Sequence, residues 1–374
     1  MAQLDRNTPA RRRLTTQIVF GAGSYRVIVI GTIALAVLIV GRDFLIPLAI
    51  AILIWILLGA LIDRLARLHV GPVKMPRWLA TTIGVILILC GVFVVGEIIA
   101  EQAAAVSNAV PRYQERLQNL FTEILAWLGD DMAASARDAL NQVDLFSTIT
   151  SAAGSVGNML LSVGLVGLYV MFLMIDQGSL PKKFLALFPE PEEARDVTQV
   201  MAAMSASVRR YMWVKTLTSL MTGLASYTVL RLVGVDFAET LALIIFLLNY
   251  IPNIGSILGI VFPAMIALVQ FETLAPFLIA TPILIAIQVI IGNLVEPMLM
   301  GRSLNLSSFV IILALVFWGV IWGIPGMFLS VPITVVALIV CSHIRGARWI
   351  AILLSKDGQI DFDDDTEVEA SRAD

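Results

Sequence analysis

A polar break, Asn249-Tyr250-Ile251-Pro252-Asn253-Ile254-Gly255-Ser256, interrupts a long apolar run in the last third of this chain. Apolar sequence flanks it on both sides, over Glu239–Leu248 and Ile257–Val269. The flanks would form helices of about 15 and 19 Å at 1.5 Å per residue, and both are too short to cross a bilayer core of about 30 Å. The pattern predicts either a re-entrant helical hairpin or one long broken span.

A second break of the same kind lies at Gly323-Ile324-Pro325-Gly326, between the apolar flanks Ser308–Trp322 and Met327–Ser342. A further apolar span, Pro276–Leu299, separates the two breaks. If each hairpin enters and leaves on one side, the two units have opposite orientation, as in the inverted repeats of secondary transporters. Because irregular backbone at membrane depth needs protein or a water-filled cavity around it, the breaks indicate a transport core over 213–344.

The composition of the chain is typical of a membrane protein. Of its 374 residues, 59% are hydrophobic and 14% are charged, whereas a soluble chain carries about a quarter charged residues. The apolar runs are continuous rather than alternating, which disfavours a β-barrel. We predict an all-α polytopic membrane protein with about eight membrane segments, including two broken or re-entrant helical hairpins in an inverted repeat.

The distribution of charge predicts the orientation in the membrane, because Lys and Arg collect on the cytoplasmic side. Both termini are expected in the cytoplasm, and the first apolar run is expected to be a retained span rather than a signal peptide. The acidic stretch 101–150 then lies outside, and its apolar residues step by three or four, which predicts an amphipathic helix. The predicted segments are a cytoplasmic tail 1–26, three scaffold spans 27–100, the extracytoplasmic segment 101–150, a fourth span 151–180, a cytoplasmic helical loop 181–212, the transport core and a cytoplasmic acidic tail 345–374.

Glu296 is the strongest single candidate for chemistry, near the end of the span between the breaks. A carboxylate in hydrocarbon costs several kcal/mol unless it is paired. It could bind a proton or ligate a cation, or it could lie in a last turn and pair with Arg302 or Lys215. Lys215 itself is interpreted as a residue that snorkels to the cytoplasmic interface.

Neutral polar residues lie at or near the first break and beside Glu296, where they could hold a polar ligand or cap half-helices. The candidate substrate-binding residues are Asn249, Asn253, Gly255, Ser256, Asn293 and Glu296. The residues interpreted as making the helix breaks are Pro252, Gly323, Pro325 and Gly326. Isolated cysteines and histidines indicate no metal site. We expect no enzyme activity, since nucleotide-loop and hydrolase motifs are missing; nor do we expect a cofactor or a nucleic-acid partner.

These motifs resemble those of the autoinducer-2 exporter family of bacterial membrane proteins. The matching pieces are Phe237-Ala238, Leu248 to Ser256, Gly292-Asn293-Leu294-Val295-Glu296-Pro297, Phe317-Trp318-Gly319, Gly326-Met327-Phe328-Leu329-Ser330-Val331-Pro332, Lys215-Thr216 and Thr222-Gly223. The resemblance covers nearly the whole chain. It implies export of a small furanosyl quorum-sensing signal across the inner membrane, by a homo-oligomer such as a pentamer, with an elevator motion of the hairpin-bearing half. Other members are described as sodium–proton antiporters.

Three functions follow as hypotheses. The first is a secondary transporter that exports a small, polar, uncharged signal such as autoinducer-2, because the breaks hold neutral amides and hydroxyls. The second is a sodium or other cation–proton antiporter, which rests on Glu296. The third is a membrane scaffold without transport, in which mutating the breaks would leave the phenotype intact.

Overall fold

The fold is taken from a computed structural model, which describes residues 22–67, 69–70, 73–128, 156–179, 182–183, 186–188, 190–301, 305–344 and 346–358. The chain divides into two compact units, Met1–Leu45 and Ile46–Asp374. The first unit contains α1, Ala22–Val40, and the first residues of α2. Gly41 joins the two helices, and its backbone N–H donates to the carbonyl of Val37 at 2.8 Å.

Helices dominate the second unit, where two short strands also pair. Strands β1 (His69–Val70) and β2 (Val73–Lys74) form an antiparallel ladder with His69 opposite Lys74. Apart from this ladder and one isolated bridge, the described residues bear out the prediction of an all-α chain. The helices are α2 (Arg42–Arg67), α3 (Arg77–Leu128), α4 (Val156–Asp176), α5 (Pro191–Val233), α6 (Ala238–Leu248), α7 (Ile254–Gln270), α8 (Ala275–Ile290), α9 (Glu296–Met300), α10 (Ser308–His343) and α11 (Arg348–Leu354), with a π-helical turn at Ile291–Val295.

Several of these helices match a bilayer in length and composition. Within the described residues, those long and apolar enough to cross it are Arg42–Arg67, Arg77–Ile98, Ala275–Met300 and Ser308–His343. Shorter apolar helices cover Gly31–Val40, Val163–Asp176, Ala238–Leu248 and Ile254–Gln270. The protein is therefore a membrane protein with several apolar helices, and the number of about eight segments stays a prediction.

Two helices continue past the boundaries that hydropathy suggested. Helix α3 has 52 residues, or about 78 Å at 1.5 Å per residue, more than twice the hydrocarbon thickness of about 30 Å. The expected third span and the amphipathic segment after it are thus one rod up to Leu128. Of the amphipathic stripe, Tyr113 has a described side chain, whereas 129–150 and most of the other stripe side chains lie outside the described residues. Helix α5 begins at Pro191 rather than near Trp213, so Lys215 lies in its middle.

The first part of the predicted cytoplasmic tail is folded and is not a solvated segment. Helix α11 packs against α10, and Ser355 forms a bridge with Leu306. The N–H of Lys356 donates to the carbonyl of Asn305 at 3.1 Å. The acidic residues from 359 onward, like the N-terminal residues 1–21, lie outside the described part of the chain.

The first break turns the chain back on itself. Helices α6 and α7 pack together and, with α5 and α8, form an apolar core of Leu230, Val235, Ala238, Leu241, Ile245, Ala267 and Leu284. At the open end, the Gln270 amide donates to the carbonyl of Gly234 at 2.8 Å and accepts from the N–H of Asp236 at 2.7 Å. Both ends of this first hairpin therefore lie at the C-terminal end of α5.

The second break also reverses the chain. Gly323 has φ 64° and ψ −144° inside α10, a conformation that only glycine adopts readily. A straight helix of 36 residues would be about 54 Å long. Yet residues near 306 pair with residues near 355, and the dozen or so residues after His343 reach at most about 40 Å. The two halves of α10 thus form a second hairpin.

Glycines close both turns in the same way. A Cβ on Gly255 would overlap the carbonyl oxygen of Leu248, and a Cβ on Gly326 would overlap the carbonyl oxygen of Trp318. In each hairpin the glycine lies at the start of the returning helix and faces backbone at the end of the outgoing one. Backbone approach of this kind requires glycine, because any side chain needs the space of the carbonyl.

Candidate functional site

One face of α5 is polar although it is buried in the fold. Lys215 is 5% exposed, Thr218, Ser219 and Thr222 are 0% exposed, and Ser226 is 1% exposed. Their spacing of three or four residues places them on one side of the helix. The hydroxyls of Thr218 and Thr222 donate to the carbonyls of Lys215 and Thr218, at 3.2 and 2.8 Å. A threonine bonded to its own helix can lie in an apolar environment without an unpaired donor.

Lys215 and Glu296 form a largely buried ion pair at the N-terminal end of this face. The Lys215 ammonium donates to both carboxylate oxygens, at 2.7 and 2.8 Å. Their side chains are 6% and 19% exposed. The π-helical turn Ile291–Val295 precedes Glu296 directly, and such turns occur frequently at functional sites. Since each charge compensates the other, removal of one partner would leave an isolated charge at a cost of about 3–5 kcal/mol.

The tip of the first hairpin binds to the same face. The Asn249 amide donates to Ser219 Oγ at 3.1 Å, and Tyr250 OH donates to Thr216 Oγ1 at 2.9 Å. Thr216 in turn donates to the carbonyl of Met212 at 2.7 Å. Asn249 and Tyr250 are 5% and 8% exposed. The break therefore places Asn249 and Tyr250 against α5, away from the surface.

The second hairpin reaches the first through an aromatic contact. The ring of Phe328 lies 5.0 Å from that of Tyr250, which also meets Phe246 edge-on at 5.7 Å. Phe328 lies two residues after Gly326, close to the break. The two tips consequently meet beside the buried face of α5. We call the connected polar residues the polar layer, which consists of Lys215, Thr216, Ser219, Asn249, Tyr250 and Glu296.

Some buried polar atoms near the layer lack a partner in the described structure. They belong to Tyr211 OH, Ser226 Oγ and Gln288 Nε2. Tyr211 is 3% exposed and lies one turn before Lys215, while Gln288 is 6% exposed and lies two turns before Glu296. Buried polar atoms are normally satisfied by protein or ordered water. These groups are therefore available to form hydrogen bonds with a water molecule or a polar solute.

The structure separates the six candidate substrate-binding residues into three groups. Asn249 and Glu296 contact α5 and belong to the polar layer. Gly255 is buried against the Leu248 carbonyl, and Ser256 is half-buried. Asn253 and Asn293 are exposed and lie outside the layer, with Asn253 held at φ 60° where α7 begins.

Sequence reasoning included the Lys215–Glu296 pair as one alternative, which the structure shows, but it missed the rest of the contribution of α5. The ammonium of Lys215 does not extend into water, because Glu296 holds it inside the fold. Thr216 and Ser219 bind the hairpin tip but were not candidates. Their signal was present: Lys215, Ser219, Thr222 and Ser226 recur at three- and four-residue intervals in an apolar stretch, as expected of a buried polar face.

The long arm of α3 fastens the open end of the first hairpin. Arg112 and Tyr113 both donate to the Asp236 carboxylate at 2.7 Å, and Arg116 donates to the carbonyl of Glu272 at 3.0 Å. Burial raises the pKa of Tyr113 to about 12, so its phenol remains a hydrogen-bond donor at neutral pH. Helix α3 is therefore bonded to the chain at both ends of the first hairpin.

Together, the apolar helices, the reversed breaks and the polar layer define a polytopic helical membrane protein with a polar centre in its core. The chain belongs to the AI-2E family transporter family, whose profile matches residues 27–346. This confirms the resemblance found in the sequence.

Individual relatives match most of the chain. The AI-2 transport protein TqsA of Escherichia coli K12 is 30% identical over 84% of this chain and 90% of its own length. The protein YhhT of the same strain is 30% identical, over 83% and 88%. A relative from Haemophilus influenzae is 29% identical, over 88% and 93%. Transport is accordingly the function that the family supports.

Proposed function

We propose that this protein is a secondary transporter that exports a small, polar, uncharged signalling molecule such as autoinducer-2 across the bacterial inner membrane. The observation that supports this is the polar layer, where two interrupted helices meet a buried polar face of α5. Broken helices near the bilayer midplane mark the substrate site in many transporters. The relative TqsA is described as an AI-2 transport protein, which supports autoinducer-2 as the first cargo to test.

The geometry of the hairpins supports an inverted repeat. The ends of the first hairpin lie by Gly234, beyond the C-terminus of α5, and its tip contacts Ser219. The second hairpin follows Gly301, which lies against Arg210 toward the other end of α5, and its tip reaches Tyr250. The hairpins thus approach the layer from opposite directions. We take both as re-entrant segments, which gives about eight membrane segments.

The charges of the layer favour an uncharged cargo. Lys215 and Glu296 neutralise each other at 2.7 Å, and the other groups are amides and hydroxyls. A neutral solute with hydroxyls can exchange hydrogen bonds with Asn249, Ser219 and the unpaired Tyr211 OH without displacing the ion pair. A charged cargo would have to break the pair or remain uncompensated.

Several wider properties belong to this proposal. We place both termini in the cytoplasm and the α3 arm outside, following the distribution of Lys and Arg. We also propose a homo-oligomer, such as a pentamer, in which the hairpin-bearing core moves as an elevator against the scaffold helices. Its partners are the bilayer and a small polar solute, with a proton or sodium ion as the candidate coupling ion.

Cation–proton antiport is the second candidate, and the Lys215–Glu296 pair favours it. A carboxylate that exchanges its lysine partner for sodium or a proton would couple the two ions. In this case Glu296 is part of the cargo site itself. Neutral-solute export requires Glu296 only as the partner of Lys215.

Flux through purified protein in liposomes distinguishes the candidates. Autoinducer-2 efflux, sodium flux and proton flux are measured for the unmodified protein, for Glu296→Gln combined with Lys215→Met, and for Asn249→Ala. The control is Thr228→Ala, which changes an exposed hydroxyl of α5 bonded only to its own helix. The proposal expects autoinducer-2 efflux that falls at least tenfold in Asn249→Ala and survives in the double variant. Efflux no greater than in protein-free liposomes would reject it, whereas ion exchange that the double variant abolishes would establish the antiporter.

A further inference from the structure

A cleft of about 910 Å³ lies between α2 and α5. It is lined by the part of α5 that precedes Thr218, away from the first hairpin's open end near Gly234. Its walls are mainly aliphatic side chains of α2 and α5, joined by one residue each from α3 and α9. The apolar lining residues include Ile54, Leu57, Leu61, Ile88, Leu217 and Leu299. Of the polar layer, Thr216 lines this cleft, so the two sites are neighbours with different chemistry.

Three arginines make part of the cleft strongly basic. Arg64, Arg209 and Arg210 line it, and no carboxylate is among the described residues that do so. The nearby Asp63 is held by Arg77 at 3.2 Å and lies 3.9 Å from Arg209. Across the described chain, neither Arg64 nor Arg210 has a recorded carboxylate partner. The three guanidinium groups thus carry an excess of positive charge into an otherwise apolar cleft.

Arg64 lies where a membrane interface is expected. Arg64 is in the last turn of the apolar helix α2, and its guanidinium stacks on the ring of Trp213 at 3.9 Å. Tryptophan and arginine are typical residues of the headgroup level. Ile54 lies ten residues before Arg64 on α2, about 15 Å deeper at 1.5 Å per residue, which is half of a hydrocarbon core of about 30 Å.

We propose that this cleft is a binding site for an anionic phospholipid. The phosphate of the headgroup binds Arg64, Arg209 and Arg210, and the acyl chains lie along the aliphatic walls of α2 and α5. Arginine recognises phosphate with several donors in one plane, and basic pockets between membrane helices bind anionic headgroups. A soluble polar cargo would gain nothing from contact with a long aliphatic wall. The chemistry of this cleft therefore distinguishes it from the polar layer. The proposal does not depend on the transported substrate.

Native mass spectrometry of the detergent-purified full chain tests the site. After delipidation, phosphatidylglycerol and phosphatidylcholine with identical chains are titrated, and bound lipids are counted. We expect phosphatidylglycerol to bind at least tenfold more tightly. This preference should disappear when Arg64, Arg209 and Arg210 are all changed to Gln. It should persist in Arg231→Gln, the control, which removes an exposed arginine at the other end of α5.

A second variant fills the cleft without changing a charged residue. Ala206→Trp fills the cleft from an exposed position of α5 and should reduce phosphatidylglycerol binding at least tenfold. Glycerol phosphate, which has the headgroup charge but no chains, should not compete. Equal affinity for the two lipids, or a triple variant that binds like the unmodified protein, would overturn the proposal. It would also fail if Ala206→Trp changed the number of subunits instead of lipid binding, because the cleft would then be a contact between copies of the chain.

Discussion

The two hairpins reach the same centre but are built differently at their open ends. The first is fastened by side chains: Gln270 joins its two ends, and the α3 arm bonds to Asp236 and Glu272. The second is fastened by backbone, through the bridge between Leu306 and Ser355 and the neighbouring N–H to carbonyl bonds. Their turns are alike, since each requires a glycine against a carbonyl.

This difference indicates which parts of the hairpins single substitutions can destabilise. Backbone bonds persist when a side chain changes, whereas the side-chain bonds of the first hairpin can be removed one at a time. We infer that the first hairpin can be loosened selectively at its base. Substitutions at the shared centre or at the glycines should instead affect both hairpins.

The largest loss of stability is expected at the ion pair. Because the ion pair belongs to the shared centre, we expect its loss to affect both hairpins alike. Glu296→Gln leaves the Lys215 ammonium buried without a counter-charge, and we expect it to lower the free energy of unfolding by about 3–5 kcal/mol. Thermal unfolding in detergent measures this. Combining it with Lys215→Met should restore most of the loss, because a neutral buried pair costs little. A double variant as unstable as the single one would contradict the ion pair as its cause.

The next effect is expected at the turning glycines. Gly255→Ala and Gly326→Ala each force a methyl group against a backbone carbonyl, which should cost about 3 kcal/mol. Gly292→Ala is the matched control, since a Cβ there meets nothing within 4 Å. Unfolding midpoints should fall for the first two variants and stay near the unmodified value for the third. Tolerance of one turning glycine but not the other would show that only one hairpin is tightly closed.

A smaller effect should separate the hairpins. Asp236→Ala removes the acceptor for Arg112 and Tyr113, and a negative charge just before α6, at an expected cost of about 1–2 kcal/mol. Hydrogen exchange should increase in 238–270 and remain unchanged in 308–343. Glu272→Ala provides the control, because the arm bonds to its backbone carbonyl and not to its side chain. Equal acceleration in both hairpins would contradict a local fastening.

The smallest effect concerns the contact between the tips. Tyr250→Phe removes the bond to Thr216 but keeps a ring against Phe328, so we expect a loss of about 1 kcal/mol. Tyr250→Leu removes the hydrogen bond and the aromatic pair, and should cost more. Thermal unfolding of both variants measures the difference. If the two were equally stable, the aromatic contact would contribute nothing to the meeting of the tips.

The sequence predicted the breaks well because their cause is local. Proline and glycine within apolar runs mark the ends of short helices, and Pro252 and Gly323 lie where the chain turns. It predicted helix boundaries less well at Glu101 and Trp213, where polarity changes but the helix continues. Hydropathy reports the surrounding solvent, whereas a helix can pass from lipid into water without ending.

The site was predicted only in part because its contacts are distant in the sequence. Asn249 and Glu296 were candidates through their chemistry, but their partners Ser219 and Lys215 lie on another helix. Lys215 was placed at the interface because the helical loop 181–212 and the span from Trp213 were predicted as separate elements, whereas α5 is one helix from Pro191 to Val233. The bond between Tyr113 and Asp236 spans 123 positions, and no local pattern indicates it.

Locking the two tips together tests most directly whether the polar layer between them is the transport site. Cysteines replace Tyr250 and Phe328, whose rings are 5.0 Å apart, after Cys90 and Cys341 have been changed to Ala. A short reducible cross-linker then joins them in protein reconstituted into liposomes, and autoinducer-2 and sodium fluxes are recorded. We predict that cross-linking stops the flux that the unlinked double-cysteine variant supports, and that reduction restores it. Undiminished flux through fully cross-linked protein would contradict a transport site between the hairpin tips.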